Sequence, residues 1–202
     1  MTALIEPEVG RVLVQLAIGA IAVELGLEAE PVDGLDRFRD VLEQPAASFV
    51  SLHRGPNLLG CIGSIEPRRS LANDVAANAV AAAFSDPRLP AITIDDFRAM
   101  DVEVSVLGPL EPIRAGSFDR FAQQVAAGTD GLLVRAPGHR ATLLPAVWAQ
   151  CPDRATFLDL LWRKAGLGPR SWPEGIRADR YSTQEFHSNG PRRARPQIGL
   201  VR

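Results

Sequence analysis

The sequence predicts an α+β domain: an antiparallel sheet flanked by helices, with a larger and a smaller lobe in one compact body. Three observations predict it. Apolar residues recur at helical spacing in some segments and alternate with a period of two in others. The strand-like segments come in pairs around turn-forming residues, as antiparallel hairpins do. Helices and hairpins are mixed without the regular β-α-β alternation that a parallel sheet needs. At 202 residues and 46% hydrophobic, the chain is long enough to bury a sizeable core.

Taken in order, the first helix is expected over Glu8 to Leu25, with Val9, Val12, Leu13, Leu16, Ala20, Val23 and Leu27 as its core-facing stripe. Pro7 suits the helix start, because its missing N–H lies among donors that would be unpaired anyway. Gly26 supplies the stop. Glu28 to Pro31 reads as a loop and Leu35 to Leu42 as a short helical or irregular connector. Ala47 to His53 is a strand, and the turn Arg54-Gly55-Pro56-Asn57 returns the chain into a second strand, Leu58 to Ser64. A helix from Leu71 to Phe84 follows, capped by Ser70 and ended by Asp86-Pro87. Val102, Val104 and Val106 alternate with Glu103, Ser105 and Leu107 in a strand of period two. Phe118 to Ala126 reads as helix, Gly131 to Arg135 and His139 to Leu144 as a hairpin around Pro137-Gly138, and Pro145 to Ala149 as a single helical turn. Ala155 to Ala165 is an amphipathic helix closed by Gly166. Residues 1–186 are expected to form the domain, and 187–202, with Arg192, Arg193 and Arg195, a basic mobile tail.

The balance of 22 basic and 24 acidic residues, a net charge of -2, gives no general pull toward nucleic acid or acidic membranes. Lys164 is the only lysine, so positive charge is carried almost wholly by arginine. Two cysteines, Cys61 and Cys151, form neither a C-x-x-C pair nor a disulfide-rich pattern, so a reduced, cytoplasmic setting is expected. The apolar stretch Arg11 to Gly26 lacks the positive front of a secretory signal and is broken by Gln15 and Glu24. It reads as a buried helix rather than a membrane span.

The most singular local feature is Leu59-Gly60-Cys61-Ile62-Gly63. Glycine inside a strand packs nothing, and makes sense where a backbone or a ligand must come close. Strand alternation sets Leu59, Cys61 and Gly63 on one face, so that Cys61 stands beside a face cleared of bulk. Cys61 is then a candidate nucleophile or ligand-contacting thiol; the plainer alternative is a small buried hydrophobe. Glu103, which shares a strand face with Ser105, is a candidate general base or acid if it is buried in a cleft. Otherwise the two form the polar outer face of a half-exposed strand. His53 and His139, the latter beside Arg140, are candidate bases for Cys61 or pocket residues; a surface or capping role is the alternative for each.

Several chemistries are excluded. Gly55 to Cys61 has the glycine spacing of a phosphate-binding loop, but Cys61 and Ile62 stand where lysine and serine or threonine are required. There is no G-x-S-x-G elbow and no H-E-x-x-H. Three histidines and two distant cysteines make no dedicated zinc site, and no cofactor is expected.

Six ordered segments resemble one family. They are Phe49-Val50-Ser51-Leu52-His53, Leu59-Gly60-Cys61-Ile62-Gly63, Asp86-Pro87-Arg88-Leu89-Pro90, Val102 to Leu107, Arg140 to Pro145 with Val147-Trp148, and Lys164-Ala165-Gly166-Leu167. The pattern is similar to the AMME chromosomal region family, whose bacterial members are labelled AmmeMemoRadiSam system protein A. The resemblance implies an α+β fold in a larger and a smaller lobe, with a cleft near Gly60-Cys61-Ile62-Gly63. Family members occur beside a Memo-like protein and a radical-SAM protein, which implies these as partners. No reaction comes with the resemblance. One departure stands out: the family has arginine before its glycine-cysteine pair, where this chain has Leu59, and Arg54, Arg88 and Arg140 are the candidate substitutes.

Two functions follow from these readings. The chain is an accessory protein that presents a surface to its Memo-like or radical-SAM neighbours, or it is a thiol-dependent enzyme or small-molecule-binding protein that uses Cys61.

Overall fold

The computed structural model describes residues 5–188, which divide into two units, the larger formed by 5–107 with 184–188 and the smaller by 108–183.

The larger unit opens with α1 (Pro7–Glu24), with Pro7 in its first turn as the sequence predicts. Gly26, at φ +72°, ends it: Leu27 N–H donates to Ala22 O and Gly26 N–H to Val23 O, a Schellman closure. After α2 (Arg39–Leu42) and the short β1 (Pro45–Ala46), β2 (Ser48–Arg54) and β3 (Asn57–Gly63) form the expected antiparallel hairpin. The two-residue β4 (Arg69–Ser70) pairs with β1 and leads into α3 (Leu71–Phe84). Ser70 holds the cap position of α3, but its side chain makes no capping hydrogen bond. Then come α4 (Ile94–Ala99), which the sequence reading omitted, and β5 (Asp101–Leu107). Thr93 and Asp96 close a capping box on α4.

The smaller unit holds β6 (Glu111–Ile113), α5 (Phe118–Gln124), the hairpin β7 (Gly131–Ala136) and β8 (His139–Leu143), a 3-10 turn (Pro145–Gln150), α6 (Arg154–Lys164) and β9 (Arg177–Tyr181). The chain then returns to the larger unit as β10 (Thr183–His187). His187, expected in the tail, is therefore the last residue of a strand; residues 189–202 lie outside the described residues. Strand order is β10-β5-β2-β3 in the first sheet and β6-β9-β7-β8 in the second.

Each unit has its own core. In the larger, Val50, Leu52, Val102, Val104 and Val106 on one sheet face pack with Leu13, Ala17 and Ile21 of α1 and Val75, Ala79 and Ala82 of α3. This corrects the stripe expected for α1. Its first half, Val9 to Leu13, is buried as expected and Leu16 packs half-buried against the core, but the helix then buries Val14, Ala17, Ile21 and Ala22 instead of Ala20, Val23 and Leu27. Val23 is 63% exposed. Both faces of α1 are apolar there, so periodicity alone does not select the one that meets the sheet. In the smaller unit Phe121, Phe157, Leu158, Leu161 and Trp162 pack on Leu132, Val134, Ala141 and Ala178.

Candidate functional site

Cys61 stands on β3, an edge strand of the first sheet, directly opposite Ser51 of β2. An edge strand leaves its outward N–H and C=O groups without a strand partner. At Cys61 both are taken: its N–H donates to Asp86 Oδ2 at 2.9 Å and its carbonyl accepts from Arg88 Nη2 at 3.1 Å. With its backbone turned outward, Cys61 makes with Ser51 the kind of cross-strand pair whose side chains lie closest. Accordingly, the Ser51 hydroxyl donates to Cys61 Sγ at 3.3 Å.

Asp86 and Arg88 come from the turn that ends α3. Arg88 grips both oxygens of the carboxylate, Nε to Oδ1 at 2.9 Å and Nη2 to Oδ2 at 2.6 Å, while its own backbone N–H donates to Oδ1 at 3.1 Å. The Arg88 side chain above all, with the backbone donors of Cys61 and Arg88, holds the Asp86 carboxyl down at about 2 against the upward push of burial. In return Asp86 lifts the Arg88 guanidinium above its ordinary value, and the Cys61 side chain adds to that lift. A fixed cation beside a thiol is the surrounding in which a thiolate is stabilised.

Across the sheet, Cys61, Ser51 and Glu103 form one transverse row on β3, β2 and β5, with Ser51 in the middle. The neighbouring rows bring together Gly63, Phe49 and Ser105 on one side, and place His53 opposite Asp101 on the other. Ser51, His53, Glu103 and Ser105 are only 7%, 6%, 4% and 2% exposed, so the half-exposed polar face considered for β5 is instead buried. Polar groups at that depth are unfavourable unless partnered. Ser105 Oγ lies 3.5 Å from Glu103 Oε1, and His187 Nδ1 lies 3.6 Å from Glu103 Oε2.

The two glycines are explained from inside the chain. A Cβ on Gly60 would run into the carbonyl oxygen of Ala82, so α3 comes against β3 backbone to backbone. A Cβ on Gly63 would run into the ring of Phe49, which fills the space expected to lie open beside Cys61. Leu59 also departs from simple alternation. A register shift between Leu52 and His53 bulges the hairpin, and Leu59 packs against the α1–α3 core.

A family model described as AMMECR1 matches residues 14–186. The chain belongs to this family. A protein of Methanothermobacter thermautotrophicus is 37% identical to this AMMECR1-domain chain over 185 residues, covering 90% of it and 95% of the relative. A protein of Methanocaldococcus jannaschii is 33% identical over 162 residues, covering 78% and 81%. The crystal structure of an uncharacterized protein from Pyrococcus horikoshii superposes with a TM-score of 0.81 at 33% identity, covering 93% of this chain and 95% of that one.

Of the three arginines considered as substitutes at the Leu59 position of this AMMECR1 domain, Arg88 is bonded to Cys61, whereas Arg54 pairs with Asp96 at 3.0 Å. Arg140 and His139 belong to the smaller unit, where His139 Nδ1 lies 2.8 Å from Ala165 O and Arg140 faces Arg135 across the β7–β8 hairpin. Sequence reasoning missed Ser51 and His187 as parts of the polar face and Asp86 as the partner of the Cys61 backbone. It also missed Asp74, whose buried Oδ2 accepts from Ser48 N (2.9 Å), Ser48 Oγ (2.8 Å), Ser64 Oγ (2.7 Å) and Asn78 Nδ2 (2.9 Å), pinning α3 to both strands of the hairpin. A carboxylate four residues before an asparagine, on a helix face otherwise made of valine and alanine, was the available signal. Among the described residues, no helix is long and apolar enough to cross a membrane, and no group of three or more His, Cys, Asp or Glu is arranged to hold a metal ion.

Proposed function

We propose that this AMMECR1-domain chain is an accessory protein that works by binding a Memo-like or a radical-SAM protein, the neighbours that family members keep. The observation that supports this reading is the packing over Gly60 and Gly63. The spaces these glycines open are occupied by the Ala82 carbonyl and the Phe49 ring, so they serve the close approach of the chain to itself. The Asp86–Arg88 clamp then fixes the shape of β3, as a rigid binding surface requires. Co-purification of the chain with each neighbour tests this. Complex formation that survives Cys61→Ser supports the accessory role, and failure to bind either neighbour removes it.

A second reading keeps Cys61 as a reactive or ligand-contacting thiol. It is favoured by a different observation: the partly exposed Cys61 has Ser51 Oγ as a donor and Arg88 as a neighbouring cation, not a wall of alkyl groups. Glu103, in the same row, is the acid or base of that reading, with Ser105 and His53 on the neighbouring rows as its pocket residues. Reaction with iodoacetamide decides it. Fast labelling of the native protein near neutral pH supports a functional thiol; labelling only after unfolding ends the reading.

A further inference from the structure

Charge is unevenly spread along this chain. Residues 23–43 hold seven Asp and Glu against two Arg, a net of -5, whereas the whole chain carries -2. Past Gly26 this stretch is a ribbon laid antiparallel along α1: Ala29 comes beside Gly19, Gly34 beside Val12, and Arg37 pairs with Glu8 at 2.9 Å. Its inner side is apolar, with Leu25, Val32, Phe38 and Leu42 packed on the core of the larger unit. Its outer side is not simply a solvated polar surface. Val23, Leu35 and Val41 are three of only four large hydrophobic side chains that stand exposed among the described residues. Interleaved with them are the exposed carboxylates of Glu24, Glu28, Glu30 and Asp33, which form no ion pair among the described residues. The ribbon and α1 also enclose a cleft of about 300 Å³, whose apolar lining is Val12 and Phe38. Glu8 engages both arginines at the cleft, Arg37 at 2.9 Å and Arg11 at 3.6 Å, and with Asp33 it leaves the cleft neutral overall. The cleft therefore suits an apolar side chain rather than an ion.

We propose that this ribbon is a surface on which the chain docks a partner protein, and that the partner presents a basic segment studded with apolar side chains. The inference rests on the accessory role proposed above and gives that role a contact surface besides the clamped β3. Acidic and apolar groups interleaved on one exposed strip call for both chemistries in the occupant. Guanidinium or ammonium heads meet the uncommitted carboxylates of Glu24, Glu28, Glu30 and Asp33. Apolar side chains of the same segment cover Leu35 and Val41, and one of them anchors in the cleft against Val12 and Phe38. Nucleic acid and acidic membranes are repelled by the same negative charge.

Fluorescence anisotropy of a labelled peptide of alternating arginine and leucine, titrated with the full chain, tests the surface. Binding is expected, weakening as salt is raised. The charge-reversal variant Glu28→Lys/Glu30→Lys/Asp33→Lys and the apolar variant Leu35→Ser/Val41→Ser are each expected to weaken it roughly tenfold or more. Glu174→Lys, at an exposed position of the smaller unit, is expected to leave it unchanged. Every substituted side chain is exposed, so thermal melts of the variants are expected to match the parent, and lost binding is then not lost folding. No binding, equal binding by either ribbon variant, or equal binding of a peptide with serine in place of leucine overturns the proposal. So does binding that appears only when Arg192, Arg193 and Arg195 are changed to glutamine, because the chain's own basic end would then be the occupant. The accessory role fails on a different result. Peptide binding on the ribbon without capture of either neighbour removes that role and upholds the surface, whereas capture that the charge-reversal variant leaves unchanged removes the surface and upholds the role.

Discussion

Ser51 and Cys61 face each other across the first hairpin, and the serine hydroxyl donates to the cysteine sulfur at 3.3 Å. The bond depends on backbone that points the other way: Asp86 and Arg88 occupy the outward groups of Cys61, which sets the register that brings the two side chains together. The clamp and the thiol are one unit.

Cys61 is expected to react with iodoacetamide faster than Cys151. Burial, with Asp153 adding to it, pushes the Cys151 thiol up, whereas Cys61 has a hydroxyl donor and a guanidinium beside it. Ser51→Ala is expected to slow Cys61 roughly fivefold, the worth of one hydrogen bond. Peptide mapping of the alkylated native protein over time reads both rates.

Asp86 gives the stability a defined acid dependence. Its folded carboxyl is depressed from 3.8 to about 2, chiefly by Arg88, so its contribution is fully present above the unfolded value and is lost as pH falls through the folded one. Because Arg88 is itself largely exposed, the contribution is on the order of 1–2 kcal/mol. Urea unfolding of the parent at stepped pH is expected to lose this increment between about pH 4 and pH 2. Asp86→Asn is expected to be less stable at neutral pH and to lack that increment over the same window.

Gly60→Ala and Gly63→Ala are both expected to destabilise the protein, by about 2–3 kcal/mol, but they are relieved differently. Phe49→Ala is expected to cancel most of the Gly63→Ala loss, because the obstructing atoms belong to that ring. No side-chain truncation relieves Gly60→Ala, whose obstruction is the backbone carbonyl of Ala82. A double-mutant cycle by denaturant titration measures the difference.

Asp74→Ala is expected to cost about 3–5 kcal/mol, since it strands the buried donors of Ser48 and Asn78 along with that of Ser64. Asp74→Asn, which keeps an acceptor but adds a donor, is expected to fall between it and the parent. Thermal and urea unfolding check the order.

Much of the fold was legible because local chemistry dictated it. The Leu71–Phe84 helix lies where periodicity put it, and both hairpins turn at the glycine-containing segments that marked them. The misses share a cause. The strands Arg177–Tyr181 and Thr183–His187 are mixed in polarity and defined by partners far away in sequence. The polar face was half legible: alternation gave Glu103 and Ser105 a common side but not its burial, which depends on tertiary packing. Asp86 read as a helix terminator, and nothing local announced that its carboxylate would reach the backbone of Cys61, 25 residues earlier.

The sheet that carries Cys61 is closed on its β5 edge by β10, which the chain supplies only after the whole smaller unit has been made. On the ribosome, β2, β3 and β5 therefore emerge long before their last neighbour, and Gly10 waits for the ring of Phe186 that covers it. A chain stalled or cleaved before β10 would expose a raw β5 margin open to strand exchange.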